Sequence, residues 1–453
     1  MTTLLLRNAH LLATFDDAGH VFEDGGLFAR DGVIEYAGPS AGLPSAADET
    51  IDAAEMVVLP GLINTHHHFF QTLTRNLPLA QDAPLFPWLV AHYPVWGRIT
   101  AGGIRSATAI AIAELMLSGC TTAADHGYIW KNGARIDDQI AVAREMGFRF
   151  HASRGSMSIG RSKGGLPPDE LVEDEDAILR DCVRAIETYH DPARFAMTRI
   201  VIAPCSPFSV STELMRRSAE LARAHGLTLH THLCETRDEE AYCLEHFGKR
   251  PVALAADLDW VGPDVWYAHG IVMDDDEIAL LGRSRTGVAH CPSSNMRLGS
   301  GVAPLLAQRQ AGMRVGIGVD GSASNDASHL LDETRHALLL QRVIHGAAAL
   351  SGREALWLAT RGGASVLGRD DIGRLAPNMA ADFIGIRLDA LPLAGGAVHD
   401  PLAALVFCRT PNVDLNVIAG KTRVRDGRLV DVDVAALAQR HNQLARALVE
   451  GDQ

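Results

Sequence analysis

Three consecutive histidines end an apolar run in PGLINTHHHFFQT, residues 60–72. Imidazole is the commonest side-chain metal ligand, yet an extended chain cannot bring three adjacent rings to one ion. Side chains alternate faces along a strand, so His66 and His68 share one face and His67 takes the other. His66 and His68 are therefore the candidate ligand pair, and His67 is expected to pack outward beneath a helix. A second pair, His230 and His232, stands in LTLHTHLCE. These two lie roughly 6.6 Å apart along a strand, so they sit at different depths. His232 is favoured as the ligand, with His230 behind it or in the core. Catalytic zinc takes a few nitrogen or oxygen ligands and keeps one position open for water. His66, His68 and His232 supply nitrogens, and Asp320, closing VGIGVD, supplies a carboxylate oxygen. Glu235 lies three residues past His232, where it can handle protons without being a ligand.

These residues need elements to bring them together. From about residue 60 to 370 short apolar runs alternate with longer helical stretches. The runs are GLINTHHHF, TTAADHG, FRFHASRG, RIVIAPCS, LTLHTHLCE, VWYAHG, GVAHCPSS and RVGIGVDGS. Eight such repeats match a (β/α)8 barrel, an α/β fold. Nearly every run ends in a polar group: His66 and His68, His126, His151, Cys205, His232 and Glu235, His269, His290, Asp320. A lone strand-end histidine is usually just hydrogen-bonded. Eight alike, converging on one mouth of a barrel, point to an active site. Residues 1–58 and 371–453 read instead as short strands and turns with an amphipathic helix at the end, a small composite β domain beside the 59–370 barrel.

Composition narrows the partners. The 453 residues carry 41 basic and 55 acidic side chains, a net charge of −14, so no basic stripe is available for nucleic acid. No apolar run is long enough to span a membrane. The seven cysteines are an odd, scattered set without a C-x-x-C pair, which reads as reduced thiols in a cytoplasmic protein. GIGVDG at 316–321 fits G-x-G-x-x-G but has no acidic residue about 20 positions on. GRSKG at 160–164 fits G-x-S-x-G but has no strand before it. Neither is taken as a site.

PGLINTHHH resembles the P-G-x-x-[ND]-x-H-x-H entry of the amidohydrolase superfamily. HTHLCET is similar to its H-x-x-E element on strand five, YAHG to its strand-six histidine and GVDGSASND to its strand-eight aspartate. HCPSSN on strand seven recurs in the branch of aromatic-base deaminases and triazine hydrolases. The longer runs QTLTRNLPLAQDAPLFPWLVAHYPVWGRIT, LSGCTTAADHGYIW and SRGSMSIGRSKGGLPPD resemble those of bacterial 8-oxoguanine deaminases.

That resemblance implies a barrel with a composite β domain, and one divalent metal per subunit, zinc first and ferrous iron second. No lysine stands where two-metal members carry a bridging one. It implies hydrolytic deamination of a purine, with 8-oxoguanine giving urate and ammonia. Guanine, isoguanine or s-triazine chemistry and a catalytically silent relative are the alternatives. Glu235 is implied to protonate a ring nitrogen, Asp320 to move a proton to the leaving amine, and His269 to stabilise charge on the attacking oxygen. Gln71 falls where guanine deaminases carry a purine-binding glutamine. Trp88, Arg154 and Ser156 are further candidates for holding substrate. The resemblance also makes a homo-oligomer an expectation.

Overall fold

The run MVVLPGLIN passes from one sheet into another without a loop. In the computed structural model, which describes residues 1–409 and 412–451, Met56–Pro60 is a strand of a terminal sheet and Leu62–Asn64 opens a barrel. Gly61 makes the crossing possible, because a β-carbon there would lie 2.2 Å from the Thr121 side chain.

The barrel strands are β1 (Leu62–Asn64), β2 (Cys120–Gly127), β3 (Arg149–Ser156), β4 (Thr198–Pro204), β5 (Thr228–Leu233), β6 (Val265–His269), β7 (Gly287–His290) and β8 (Arg314–Ile317). They pair in parallel and in chain order, and Ile317 against Asn64 closes the ring. The chain is therefore a (β/α)8 barrel. The first six helices are α1 (Leu85–Trp96), α2 (Ala101–Leu117), α3 (Ile136–Met146), α4 (Glu175–Tyr189), α5 (Thr212–Ala224) and α6 (Arg237–Phe247). Thr100, Asp174, Ser211 and Thr236 start α2, α4, α5 and α6 by accepting a first-turn N–H that has no partner within the helix. Helix residues such as Ile140, Ile178, Cys182 and Leu214 pack against Phe150, Ala152, Ile202 and Leu229 of the strands, forming the main core.

Both chain halves build the terminal sheet. Phe383–Arg387 pairs antiparallel with Met56–Pro60, which runs parallel to Thr3–Ala13 on its other side. Leu415–Ile418, Lys421–Arg425 and Arg428–Leu429 extend one edge, and Val21–Arg30 and Val33–Pro39 the other. The final helix, Val434–Glu450, leaves this sheet and packs on α2 and on the turn Phe69–Thr74 that follows the three histidines. His441 ties it down, with one ring nitrogen 3.1 Å from Ser106 Oγ and the other 3.0 Å from the Thr72 carbonyl. Among the described residues no helix is long and apolar enough to cross a membrane, and all seven cysteines are free.

A buried ion pair joins barrel to sheet. Arg149 of β3 donates through Nε and Nη2 to Asp382 at 2.8 and 3.1 Å, with both side chains almost fully excluded from water. Asp382 also accepts the Ala419 N–H. Removing one partner of such a pair strands the other charge in a low-dielectric interior. Asp382→Ala is expected to lose about 3–5 kcal/mol of stability, read as a lowered denaturation midpoint, without loss of metal from the folded fraction.

Candidate metal centre and active site

Beyond β1 the chain stays extended through His66 and His68, and the two rings turn inward together. His68 Nδ1 donates to the His126 carbonyl at 2.7 Å, and His232 Nδ1 to the Cys205 carbonyl at 2.7 Å. His230 Nδ1 donates to the Trp266 carbonyl at 3.0 Å, so its Nε2 accepts from His66 Nδ1 at 2.8 Å. Each ring thus spends its proton away from the centre, leaving Nε2 of His66, His68 and His232 as bare lone pairs.

These lone pairs crowd one point. His68 Nε2 and His232 Nε2 lie 3.0 Å apart, and Asp320 Oδ1 lies 3.2 Å from His66 Nε2 and 3.3 Å from His68 Nε2. All four side chains are buried, and His66 Nε2 has no hydrogen-bond partner. Protonating a histidine would relieve the repulsion, but burial opposes it, holding His66 well below the ordinary imidazole value and His232 down at about 3. A divalent cation relieves it without that cost. Donors about 2.0–2.1 Å from a tetrahedral ion stand roughly 3.4 Å apart, close to the spacing seen here. The donor set therefore fits a metal ion.

His67 takes the opposite direction, with Nε2 2.9 Å from Ser328 Oγ. Asp320 is fixed by the Gly321 N–H at 2.7 Å and the Ser324 hydroxyl at 3.0 Å. A β-carbon at Gly321 would fall 1.9 Å from Gln71 Oε1, so a glycine here lets the glutamine carbonyl lie beside Asp320.

Next to the donors, His269 Nε2 stands 3.5 Å from Glu235 Oε2 and 3.9 Å from Asp320 Oδ2. Its Nδ1 lies 3.0 Å from Asn295 Oδ1, which orients the ring. Burial pushes the Glu235 carboxyl well above the usual carboxylate range, and the nearby Asp320 and Glu239 push it the same way. A carboxyl shifted upward in this way is suited to handling protons. Three non-glycine residues at this mouth, Cys234, His269 and Asp320, have φ of 59, 74 and 64°. Left-handed backbone is uncommon outside glycine and gathers at functional sites.

The cavity above is lined by His68, His232, Glu235, His269 and Asp320, by Gln71, and by Trp88 and Leu89 of α1. Trp88 donates its indole N–H to the Ala323 carbonyl at 3.2 Å, leaving the ring to form wall. Arg154 and Ser156 do not line it. On β3 they share parity with Phe150 and Ala152, which face the helices, and Arg154 is held there by Asp181 at 2.6 Å and Glu173 at 2.8 Å. His151 sits near the start of β3 rather than its end, with Nε2 3.4 Å from Arg369. Tyr93, Tyr128, Phe208 and Leu298 also line the cavity; no spacing in the sequence marks them. Glu239 was equally unmarked, although Thr236-x-x-Glu239 has the form of a helix-capping box.

The amidohydrolase family matches residues 57–423. The chain is 49% identical over 430 residues to the 8-oxoguanine deaminase of Pseudomonas aeruginosa PAO1, covering 94% of this chain and 95% of that one. It is 40% identical over 474 residues to the hydroxydechloroatrazine ethylaminohydrolase of Pseudomonas sp. strain ADP, covering 100% and 97%. The structure of atrazine chlorohydrolase from Arthrobacter aurescens TC1 complexed with zinc superposes with a TM-score of 0.93 at 33% identity, covering 98% of this chain and 100% of that one.

The directions of the three rings generate a simple test. His66→Ala, His68→Ala and His232→Ala are each expected to lose most of the bound metal, whereas His67→Ala keeps it and loses only stability. Elemental analysis of the purified variants reads this out. Metal retained in His66→Ala would contradict the donor set.

Proposed function

The chain belongs to the amidohydrolase family, and from that premise we propose that it is a metal-dependent purine deaminase that converts 8-oxoguanine and water to urate and ammonia. The observation that carries the reading is the juxtaposition of a buried Glu235 with His269 and the four candidate donors, inside a cavity walled by aromatic rings. The 8-oxoguanine deaminase relative supports the choice of ring.

His66, His68, His232 and Asp320 would hold one divalent ion, with zinc as first choice. When bound, it supplies Lewis acidity that brings the pKa of water toward neutrality. The chain's own groups do the rest. Glu235 or Asp320 takes the first proton of the attacking water, and Glu235 carries a proton to the ring nitrogen beside the amino-bearing C2, so that the ring gives up its aromaticity as C2 is attacked. His269, oriented through Nδ1 by Asn295, stabilises the charge that develops on the attacking oxygen. Asp320 passes the remaining hydroxyl proton to the amine, which leaves as ammonia.

Gln71 is the candidate for reading the ring edge. Its side-chain carbonyl is buried without a hydrogen-bond partner at the cavity wall, and an unpaired buried acceptor is costly until a donor arrives. The C8 carbonyl of 8-oxoguanine puts an N–H at N7, where guanine has only an acceptor. An acceptor facing that position discriminates strongly between the two rings.

Two measurements test the reading. Glu235→Gln keeps size but cannot shuttle a proton, so metal content should hold while kcat falls by roughly 10²–10⁴-fold. Activity within about threefold of wild type would remove Glu235 from the chemistry. Ammonia release from 8-oxoguanine, guanine, isoguanine and an aminated s-triazine should rank 8-oxoguanine first in kcat/KM. A preference for guanine or for the triazine would overturn the substrate and leave the deaminase chemistry standing.

A further inference from the structure

We infer that Glu239 is a positioning residue for Glu235, acting by holding the peptide of Cys234 in a left-handed turn; the inference rests on Glu235 being the proton carrier.

Strand alternation alone would misplace Glu235. On β5, His230 and His232 face the barrel interior, while Leu229 and Leu233 pack into the helix layer. Continuing that order puts Cys234 inside and Glu235 outside. The structure has the reverse: Cys234 is buried in the core that packs the helices, and Glu235 lines the cavity. The inversion occurs at Cys234, whose φ is 59°. One left-handed residue breaks the alternation and turns the next side chain toward the metal donors.

Such a conformation persists only where its surroundings over-determine it, and Glu239 supplies one side of that. Fully buried in the first turn of α6, it accepts the Cys234 N–H through Oε1 and the Glu235 N–H through Oε2, both at 2.8 Å. The Cys234 carbonyl is gripped from the other side by the N–H groups of Ile271 and Val272, at 2.7 and 2.8 Å. Thr236 fixes Glu239 in turn by capping its N–H at 3.3 Å. A carboxylate accepts with both oxygens. A glutamine would set an NH2 against one of the two amides and lose that bond.

A double-mutant cycle tests this, using Glu235→Gln, Glu239→Gln and the pair, assayed with whichever aminated ring the wild type turns over. Glu239→Gln should lower kcat at least tenfold, leave KM within about threefold and keep its metal. In the Glu235→Gln background the same change should cost less than twofold, because a residue acting only through Glu235 has nothing left to position. Equal losses in both backgrounds, or a Glu239→Gln kcat within twofold of wild type, would overturn the inference. Should Glu239→Gln purify without metal, the cycle is run with Glu239→Asp, whose shorter carboxylate cannot span both amides, and the same non-additivity is required. An impaired Glu235→Gln beside an unimpaired Glu239→Gln overturns the positioning role alone. A fully active Glu235→Gln overturns the proton carrier as well.

Discussion

Three imidazole lone pairs and a carboxylate oxygen, with His68 3.0 Å from His232 and Asp320 3.2 and 3.3 Å from His66 and His68, form the constraint on which the rest of the structure depends. Such a cluster repels itself unless a cation sits within it, so the scaffold must hold each ring against that repulsion. It does so from behind, through backbone. The carbonyls of His126, Cys205 and Trp266 belong to β2, the end of β4 and β6, and a carbonyl inside a closed barrel has little freedom to move. The tautomers of His68 and His232 are therefore set directly by the strand ladder, and that of His66 through the ring of His230.

The polar mouth is built on this frame and bends it. Cys234, His269 and Asp320 leave their strands through left-handed backbone, which a regular strand would not tolerate. Each departure redirects a side chain into the shared cavity. The strain is local, and the hydrogen bonds from Glu239, Ser324 and Asn295 hold what it redirects.

Much of this was legible in the sequence, for a specific reason. Where a strand is regular, alternation works: it separated His67 from His66 and His68, while depth along the strand put His232 ahead of His230. The eight repeats of short apolar run and helix gave the barrel, because strands buried on both faces carry that signature. The same rule did not reach the ends of β5 and β6, where Glu235 and His269 enter the cavity against their parity; their position at strand ends marked them, and the family resemblance supplied their specific roles. Arg154 and Ser156 show the opposite failure, since a regular β3 carries them to the helix side although they follow a strand-end motif. The aromatic wall of Tyr93, Tyr128 and Phe208 was invisible, because it is assembled from segments far apart in the chain with no shared spacing.

The terminal sheet sets an order of events during synthesis. Met56–Pro60, which feeds directly into β1 and its histidines, completes its pairing with Phe383–Arg387, more than 300 residues later. The helix that backs the Phe69–Thr74 turn comes later still. A ribosome-bound chain can therefore contain all the barrel strands while the strand that anchors the first of them still has an open edge. Contacts of such long separation form late, so the site-bearing turn gains its full support only after the residues that line the cavity have all been made. The exposed edge in that interval is where this enzyme has most need of protection from pairing with another chain.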